Sequence, residues 1–485
     1  MLTFQATPPP STNPDEYDNG TLLRLLFTLL DRKELAAYIN SLNYAQGNVG
    51  LPQDVAKHDA KEEKLQSDVL KYSNAICGKV VEILSPASGL PNISLFRLSW
   101  FADIMSTVSL RRAGNGHIMA LVLCMAQRIQ FFELHTGRSV PWRTFQVLRS
   151  SWADSANPFK NLQHFALNGL GSHTETIAIL PTYQTPEINS ALIRLSLNGT
   201  IFDYPLPMPV QPILRRVQFT TTTNITPAAI QMMVKNSAMS NLKELVVDDC
   251  GRDAPYLTDD LRGENLVELL RSLEKYTPLL ELFQWSTQRS DRPEGYTLFD
   301  TFKGLKHLRK LHVDIDLLVP YEDTKLNCLS NPHAIFPEHL EELTLDAFRM
   351  RPLHKVTRAF HGELEEAENM SEALRTSLAT LAAMFPLKRL SLIVPMESES
   401  TFEEPYRTTM YELDPMDVTF FRYAANELKK LGVTLEVFRK AGCYERSEKL
   451  LVKAGWTAPL PHSVLLTQRK AVWRQELRYD DDSDE

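Results

Sequence analysis

The chain has 485 residues, a formal net charge of -8 and a sequence pI near 5.9. Hydrophobic residues make up 43% and charged residues 23%, which is typical of a folded protein and excludes a wholly disordered or fibrous chain. The acidic balance argues against charge-driven binding to nucleic acid or to an acidic membrane, so neither is expected as a partner.

The N-terminal segment 1–20 contains Pro8-Pro9-Pro10 and lacks the basic stretch and apolar run of a secretory signal, so we expect it to be disordered. No later stretch has the roughly eighteen uninterrupted apolar residues that a membrane-spanning helix needs. The five cysteines are far apart and form no CxxC pair, which predicts buried thiols in a reducing compartment. A cytoplasmic location, a nuclear location or both is the resulting prediction.

From residue 21 onward, an apolar-x-x-apolar-x-apolar motif recurs along the chain. Its last four positions alternate between apolar and other residues, as in a strand with one buried face. Two weaker copies begin at Ile39 and Ile129, and nine well-formed copies begin at Leu162, Leu192, Leu214, Leu242, Leu280, Leu308, Leu340, Leu387 and Leu428. Steps of 22 to 47 residues between the well-formed copies predict a constant strand and a return path of variable length.

Helical stretches separate these motifs. Between Leu261 and Tyr276, leucines recur at helical spacing, and Pro278 follows. Alternating strands and helices predict an α/β fold with a parallel sheet, either a generic α/β fold or a stack of repeats. Because one strand-helix unit cannot bury both of its faces, we expect a leucine-rich-repeat-like solenoid over 21–440. This is a horseshoe with parallel strands on the concave face and helices outside.

The C-terminal part of the chain contains a predicted cap and a predicted tail. Residues 441–474 are expected to form a capping element because terminal repeats need a cover, and Leu450, Leu451, Val452 and Trp456 supply its apolar side chains. Residues 475–485 end in an acidic run and are expected to be disordered.

The repeated strands resemble those of a known family. The strings FKNLQHFALNG, ALIRLSLNG, SNLKELVVDDC, LKHLRKLHVDI and HLEELTLDAF resemble the divergent leucine-rich repeats of fungal F-box proteins. The string LLRLLFTLLDRKELAAYINSLNY resembles the segment that directly follows the F-box in that family. The resemblance implies a substrate receptor of a ubiquitin ligase, which binds a Skp adaptor and a cullin through its F-box.

The F-box itself is expected to be absent. Only twenty residues precede Thr21, too few for three helices of average length. One Leu-Pro-x-acidic string occurs at Leu51-Pro52-Gln53-Asp54, but the charged stretch 57–64 follows it where an F-box has an apolar helix. This segment is either a degenerate F-box or, as the pattern favours, an insertion loop that leads into a helix.

No enzyme signature accounts for the chain. Phosphate-loop, nucleophile-elbow, zinc-helix and dinucleotide-turn motifs are missing, and no cofactor is expected. Asp314-Ile315-Asp316 could be a metal-binding pair, but oxygen-ligand sites need more ligands, so no metal is expected. His312 and Asp314 could form a catalytic dyad, although surface hydrogen bonding is the preferred interpretation, and we predict that the protein is not an enzyme.

The outward-facing strand positions are the predicted protein-binding residues, because stacked parallel strands present a broad rigid face. They are His135, Asn168, Asn198, Thr220, Asp248, Ser286, His312, Asp314 and Asp346. Carboxylates follow the amides and hydroxyls along this series, so the groove around Asp248, Asp314 and Asp346 is predicted to prefer a basic segment of a partner protein. Solvated strand ends are the alternative.

Three functions remain open at this point. The first is a non-catalytic protein-interaction scaffold that resembles the substrate-recognition region of F-box ubiquitin-ligase receptors. The second is a stand-alone leucine-rich repeat binding protein without a ligase link, which fits the expected absence of the F-box. An enzyme with an unrecognised site is the third and least favoured.

Overall fold

A computed structural model describes the chain in a series of ranges. These are residues 2–6, 20–45, 55–85, 93–109, 116–126, 128–136, 161–172, 192–201, 213–220, 227–236, 239–249, 264–287, 301–314, 317–318, 331–346, 376–394, 415–440 and 448–453. They fall into two units. The first comprises residues 1–297 and 304–308, and the second comprises residues 298–303 and 309–485.

The first unit contains an open sheet in which each described strand pairs in parallel with the next one along the chain. Its strands are β1 Leu2–Ala6, β2 Ile39–Ala45, β3 Phe131–Thr136, β4 His164–Ser172, β5 Arg194–Ile201, β6 Arg216–Thr220, β7 Glu244–Asp249 and β8 Leu282–Thr287. Apolar side chains such as Leu195, Val217 and Phe283 are fully buried, and residues on the opposite face alternate with them. This is the one-sided burial that the motif predicts.

Helices connect these strands. They are α1 Gly20–Asp31, α2 Val55–Ile83, α3 Ile93–Ser109, α4 Gly116–Met125, α5 Pro227–Asn236 and α6 Glu264–Tyr276, with a 3-10 helix at Lys33–Tyr38. In α6, the leucines at helical spacing are buried, as predicted. Residues 118–126, in and just after α4, are all buried, in keeping with an almost wholly apolar helix.

Specific contacts join the helices of the first unit. The Phe27 ring of α1 stacks on the Tyr72 ring of α2 with a centroid distance of 4.5 Å. The Tyr72 hydroxyl donates to Asp31, and that hydrogen bond raises the tyrosine pKa above its ordinary value. Gln231 Nε2 of α5 donates to Ser272 Oγ of α6 at 3.1 Å.

The second unit repeats this arrangement on a smaller scale. Strands β9 Lys310–Asp314, β10 Glu342–Asp346, β11 Arg389–Val394 and β12 Thr434–Lys440 are parallel in chain order, and β13 Glu448–Lys453 pairs antiparallel with β12. Its helices are α7 Pro332–Ile335, α8, described over 376–384, and α9 Pro415–Lys430. The fold class is therefore α/β with open parallel sheets.

A hydrogen-bonded turn introduces several motifs. The N–H of the first apolar residue bonds the carbonyl three residues earlier at Leu242, Leu280, Leu308 and Leu340, with distances of 2.9 to 3.2 Å. The same leucines are at most 1% exposed. The first apolar position of the motif therefore both closes a turn and anchors the strand that follows.

Ten of the eleven motif copies, those that begin at Ile39 to Leu387, overlap the strands β2 to β11, so the repeat prediction is confirmed for them at the level of a parallel α/β sheet. The prediction is wrong for the last copy, because Leu428 lies in α9, Leu431 lies in the turn that follows and is 50% exposed, and β12 begins only at Thr434. In β12, Leu435 and Val437 take the positions that pair with Leu390 and Leu392. Two strands were not predicted. Strand β1 lies inside the segment 1–20, for which the sequence predicts disorder, and β13 lies inside the expected cap at 441–474. Residues 475–485 lie outside the described part of the chain.

Two further predictions concern particular segments. The residues after the Leu51-Pro52 string form one helix of 29 residues, α2, while residues 46–54 lie outside the described ranges. Of the described cysteines, Cys124 is buried but Cys77 is exposed on α2, so the prediction of a buried thiol is wrong there. Among the helices that the structure describes, none combines the length and apolarity needed to cross a membrane.

Gly432 ends α9 and directs the chain into β12. Its φ of 80° lies in the left-handed region, and the bonds from Gly432 N to Lys429 O and from Val433 N to Leu428 O, both 3.0 Å, close the helix end. Replacement of Gly432 by Ala should cost about 1–2 kcal/mol, because a Cβ is unfavourable in this conformation.

The matched control is Gly78→Ala in α2, where an added Cβ would meet nothing within 4 Å. This change should stabilise the protein by about 0.8–1 kcal/mol through helix propensity. Urea unfolding followed by circular dichroism measures both variants. Equal effects of the two substitutions would contradict the assigned role of Gly432.

Candidate functional site

Three rows of side chains run across the outward face of the strands. The C-terminal row holds the residue directly after the last apolar position of each motif. The middle row holds the residue two positions before that one, and the N-terminal row holds the residue four positions before it. In parallel strands of matched register, the members of one row are neighbours on the same face. The sequence analysis predicts binding residues in the C-terminal row and at one middle-row position, His312.

The C-terminal row is in register within each unit. In the first unit each predicted residue pairs with the next, through His135, Asn168, Asn198, Thr220, Asp248 and Ser286. In the second unit Asp314 pairs with Asp346 in the same way, and His312 pairs with Thr344. The backbone therefore lines up within each unit the positions that the sequence selects.

The side chains of His135, Asn168, Asn198 and Asp346 lie outside the described part of the structure, and burial separates the other five residues into two groups. The side chains of Thr220, Asp248 and His312 are partly exposed, as expected for a contact surface. Ser286 is only 1% exposed and Asp314 only 8%, so neither offers the accessible surface predicted at its position. Both are polar side chains that the fold buries at strand ends, in contrast to Thr220 and Asp248 of the same row.

The predicted acidic groove is divided between the units, because Asp248 belongs to the first and Asp314 and Asp346 to the second. No group of three His, Cys, Asp or Glu side chains able to hold a metal occurs among the residues that the structure describes. Of the acidic pair Asp314 and Asp316, Asp316 lies outside the described ranges.

The N-terminal row carries functional candidates that the sequence analysis missed. In the first unit it runs through Phe131, His164, Arg194, Arg216 and Glu244, which pair in that order on β3 to β7. The signal was available in the sequence, because the residue before the second apolar position is basic or His in three successive motifs.

Contacts in this row differ from one residue to the next. Arg216 Nη1 bonds Glu244 Oε2 at 2.8 Å, and Arg216 Nη2 bonds Gln218 Oε1 at 3.0 Å. Arg194 is exposed, and its guanidinium has no hydrogen bond or ion pair within the part of the chain that the structure describes. Within the described residues, Arg194 is therefore an uncompensated cation next to the Glu244-paired Arg216.

His164 lies beside this arginine pair. Burial lowers its pKa below the ordinary 6.5, the nearby charges of Arg194 and Arg216 lower it further, and Glu133 opposes the change. The Phe131 ring lies edge-on to the imidazole with a centroid distance of 6.1 Å. The neutral form of His164 is favoured in the folded protein.

A pH dependence of stability follows from this environment. Because the unfolded chain binds a proton at His164 more readily than the folded chain, stability should fall as the pH drops from 6.5 through the folded-state pKa. His164→Gln should reduce that fall, and Arg194→Gln should reduce it partly by removing a repulsive charge. Urea midpoints at a series of pH values between 7.5 and 5 measure the effect.

The control is Arg271→Gln, which removes an exposed arginine of α6 that pairs with Glu268 on its own helix. This variant should keep the pH dependence of the unchanged protein. An undiminished fall in the stability of His164→Gln below pH 6.5 would contradict the assigned environment of His164.

Comparison with known proteins gives no family for this chain. No protein-family model matches it, and no curated protein matches it significantly. The resemblance to fungal F-box proteins stays a prediction from the strand strings. The outward face of the strands is therefore the basis for proposing a function.

Proposed function

We propose that the chain is a non-catalytic protein-recognition scaffold, a leucine-rich-repeat-like horseshoe with its strands on the concave face and its helices outside. The outward rows of the strands are the proposed contact surface for a partner protein. The observation that carries the proposal is the register of these rows, which places one outward side chain of each strand beside the next.

Physical reasons favour binding at this face. A row of neighbouring strands presents side chains every 5 Å or so on a backbone fixed by ladder hydrogen bonds, so little entropy is lost when a partner binds. The middle row adds polar side chains that are partly exposed, including Ser196, Gln218 and Gln284. Such groups can hydrogen-bond an extended segment of a partner.

Site-specific photo-crosslinking tests this surface. A photoreactive amino acid at Thr220 or Gln284, on the outward face, should give covalent adducts with a partner protein in cells. The same group at Glu268 or Arg271, both exposed on α6, should give few adducts or none. Mass spectrometry of the purified adducts measures the difference.

Adducts formed equally from the strands and from α6 would contradict the proposal, because they would reflect chance encounters with an exposed side chain. Denaturant midpoints of the four labelled proteins provide the control that each remains folded.

The ligase role is the more specific candidate within this function. The strand strings that resemble fungal F-box proteins support a ubiquitin-ligase substrate receptor, located in the cytoplasm, the nucleus or both. The 29-residue helix after Leu51-Pro52 supports the alternative, a stand-alone binding protein, because the F-box signature there leads into one long helix.

Copurification distinguishes these two candidates. A tagged full chain that is a ligase receptor should recover the Skp adaptor and a cullin at near-stoichiometric amounts. Crosslinked partners recovered from Thr220 or Gln284 without adaptor or cullin would favour the stand-alone binding protein and overturn the ligase role.

A further inference from the structure

We propose that a basic cluster at the start of β4 to β6, formed by His164, Arg194, Arg215 and Arg216, binds an acidic peptide segment of the partner. The inference rests on the proposed function, because it assigns partner chemistry to one end of the outward face. It adds a site that the sequence analysis did not predict, at the strand ends opposite to the predicted acidic groove.

Register brings the cluster together. His164, Arg194 and Arg216 are paired residues on three adjacent parallel strands, and each precedes a buried apolar residue of the opposite face. Their side chains therefore leave the same face at intervals of about 5 Å. Arg215 is exposed directly before Arg216, and its backbone N–H bonds Ile193 O at 2.9 Å.

The cluster has more positive than negative charge available to a ligand. Glu244 engages Arg216, and Asn43 Nδ2 donates to Glu133 Oε2 at 2.8 Å on the far side of His164. Within the described residues, neither Arg194 nor Arg215 has a hydrogen bond or an ion pair through its side chain. Two exposed guanidinium groups are therefore free for an anion.

The second unit shows how equivalent positions are compensated. There the N-terminal row places Lys310, Glu342 and Arg389 side by side, with Lys310 Nζ at 3.0 Å and Arg389 Nη1 at 3.7 Å from the carboxylate of Glu342. Arg389 Nε also lies 3.7 Å from Glu436. Every cation of this row has an anionic neighbour.

The residues directly before the N-terminal row show the same difference in charge compensation between the two units. In the second unit, Glu341 lies between Arg309, at 3.7 Å, and Lys388, at 2.6 Å, and the hydrogen bond from Lys388 lowers the pKa of Glu341. Arg215 is the counterpart of Arg309 in the first unit, and among the described residues its neighbours on the adjacent strands are Ile193 and Lys243, which supply no carboxylate. Like charges on adjacent strands are destabilising, so the first unit keeps an arrangement that an external anion would stabilise.

Carboxylates suit this cluster better than a nucleic-acid backbone. A guanidinium group binds a carboxylate through two parallel hydrogen bonds, and two such groups match two acidic side chains. Nucleic acid needs a long positive track, whereas Glu133 and Glu244 flank this cluster and the chain carries a net charge of -8. A short acidic peptide is the matching partner.

Fluorescence anisotropy with the full chain tests the inference. The probe is a labelled decapeptide of alternating Glu and Ser, compared at low salt with its Gln-Ser analogue. The Glu peptide should bind more tightly than the analogue, and binding should weaken as salt is added. The double variant Arg194→Gln, Arg215→Gln should lose at least about tenfold in affinity, as expected when charge-assisted hydrogen bonds are removed.

The matched control is the double variant Arg309→Gln, Arg389→Gln, which removes the same charge from the paired positions of the second unit. It should bind the Glu peptide within about twofold of the unchanged protein, because its arginines are paired internally and lie outside the cluster. A tenfold loss of affinity would correspond to about 1.4 kcal/mol of binding free energy. Thermal unfolding of both double variants shows that each is folded. Only the control should lose stability, since only its arginines are paired.

Three outcomes overturn the inference. They are no binding of the Glu peptide at low salt, an equal loss of affinity in both double variants, and tighter binding of a single-stranded oligonucleotide of equal charge through Arg194 and Arg215. The last result would assign the cluster to nucleic acid. Crosslinking at Thr220 and Gln284 leaves all four cluster residues intact, so the inference can fail while the proposed function stands.

Discussion

One repeated backbone interaction fixes the register on which the outward face depends. From β3 onward in the first unit, the carbonyl of the residue before each strand accepts two hydrogen bonds from the neighbouring strand that follows in the chain. One donor is the N–H of the residue before that neighbouring strand, and the other is the N–H of its first residue. Gln163 O, for example, accepts from Ile193 N at 2.8 Å and from Arg194 N at 2.9 Å. Both lone pairs of the oxygen are thereby used. A slip by one residue would break these bonds and expose the leucine ladder, so register and core stabilise each other.

This coupling explains which parts of the fold the sequence could predict. Strands β2 to β11 were predictable because three apolar positions at fixed spacing mark each of them. The spacing failed at β12, because Leu428 and Leu431 belong to the end of α9 and to the turn after it. Strand β1 carries only the alternation of Leu2, Phe4 and Ala6, which the nearby proline run and the short N-terminal segment obscured. The antiparallel direction of β13 depends on how the chain returns to β12, which no local spacing encodes.

The sequence predicts the register of the candidate residues, whereas their burial and their partners depend on the neighbouring strands. Alternation selects the outward residues correctly by face, but it does not measure how closely neighbouring strands shield them. Ser286 and Asp314 are therefore buried despite polar side chains. The charge of Arg194 is visible in the sequence, whereas its lack of a partner depends on the residues that register places beside it, His164 and Arg216. Pairing across strands is long-range information.

Charge order across the strands separates a stabilising surface from a binding surface. Alternating signs on adjacent strands, as in the row from Lys310 to Arg389, satisfy every charge internally and leave little electrostatic attraction for a partner. Where two cations are adjacent and only one of them is paired, as at Arg194 beside the Glu244-paired Arg216, the unpaired one retains attraction for an anion. The same backbone ladder supports both arrangements, so the residue before the second apolar position of each motif decides whether charge in its part of the face is compensated internally.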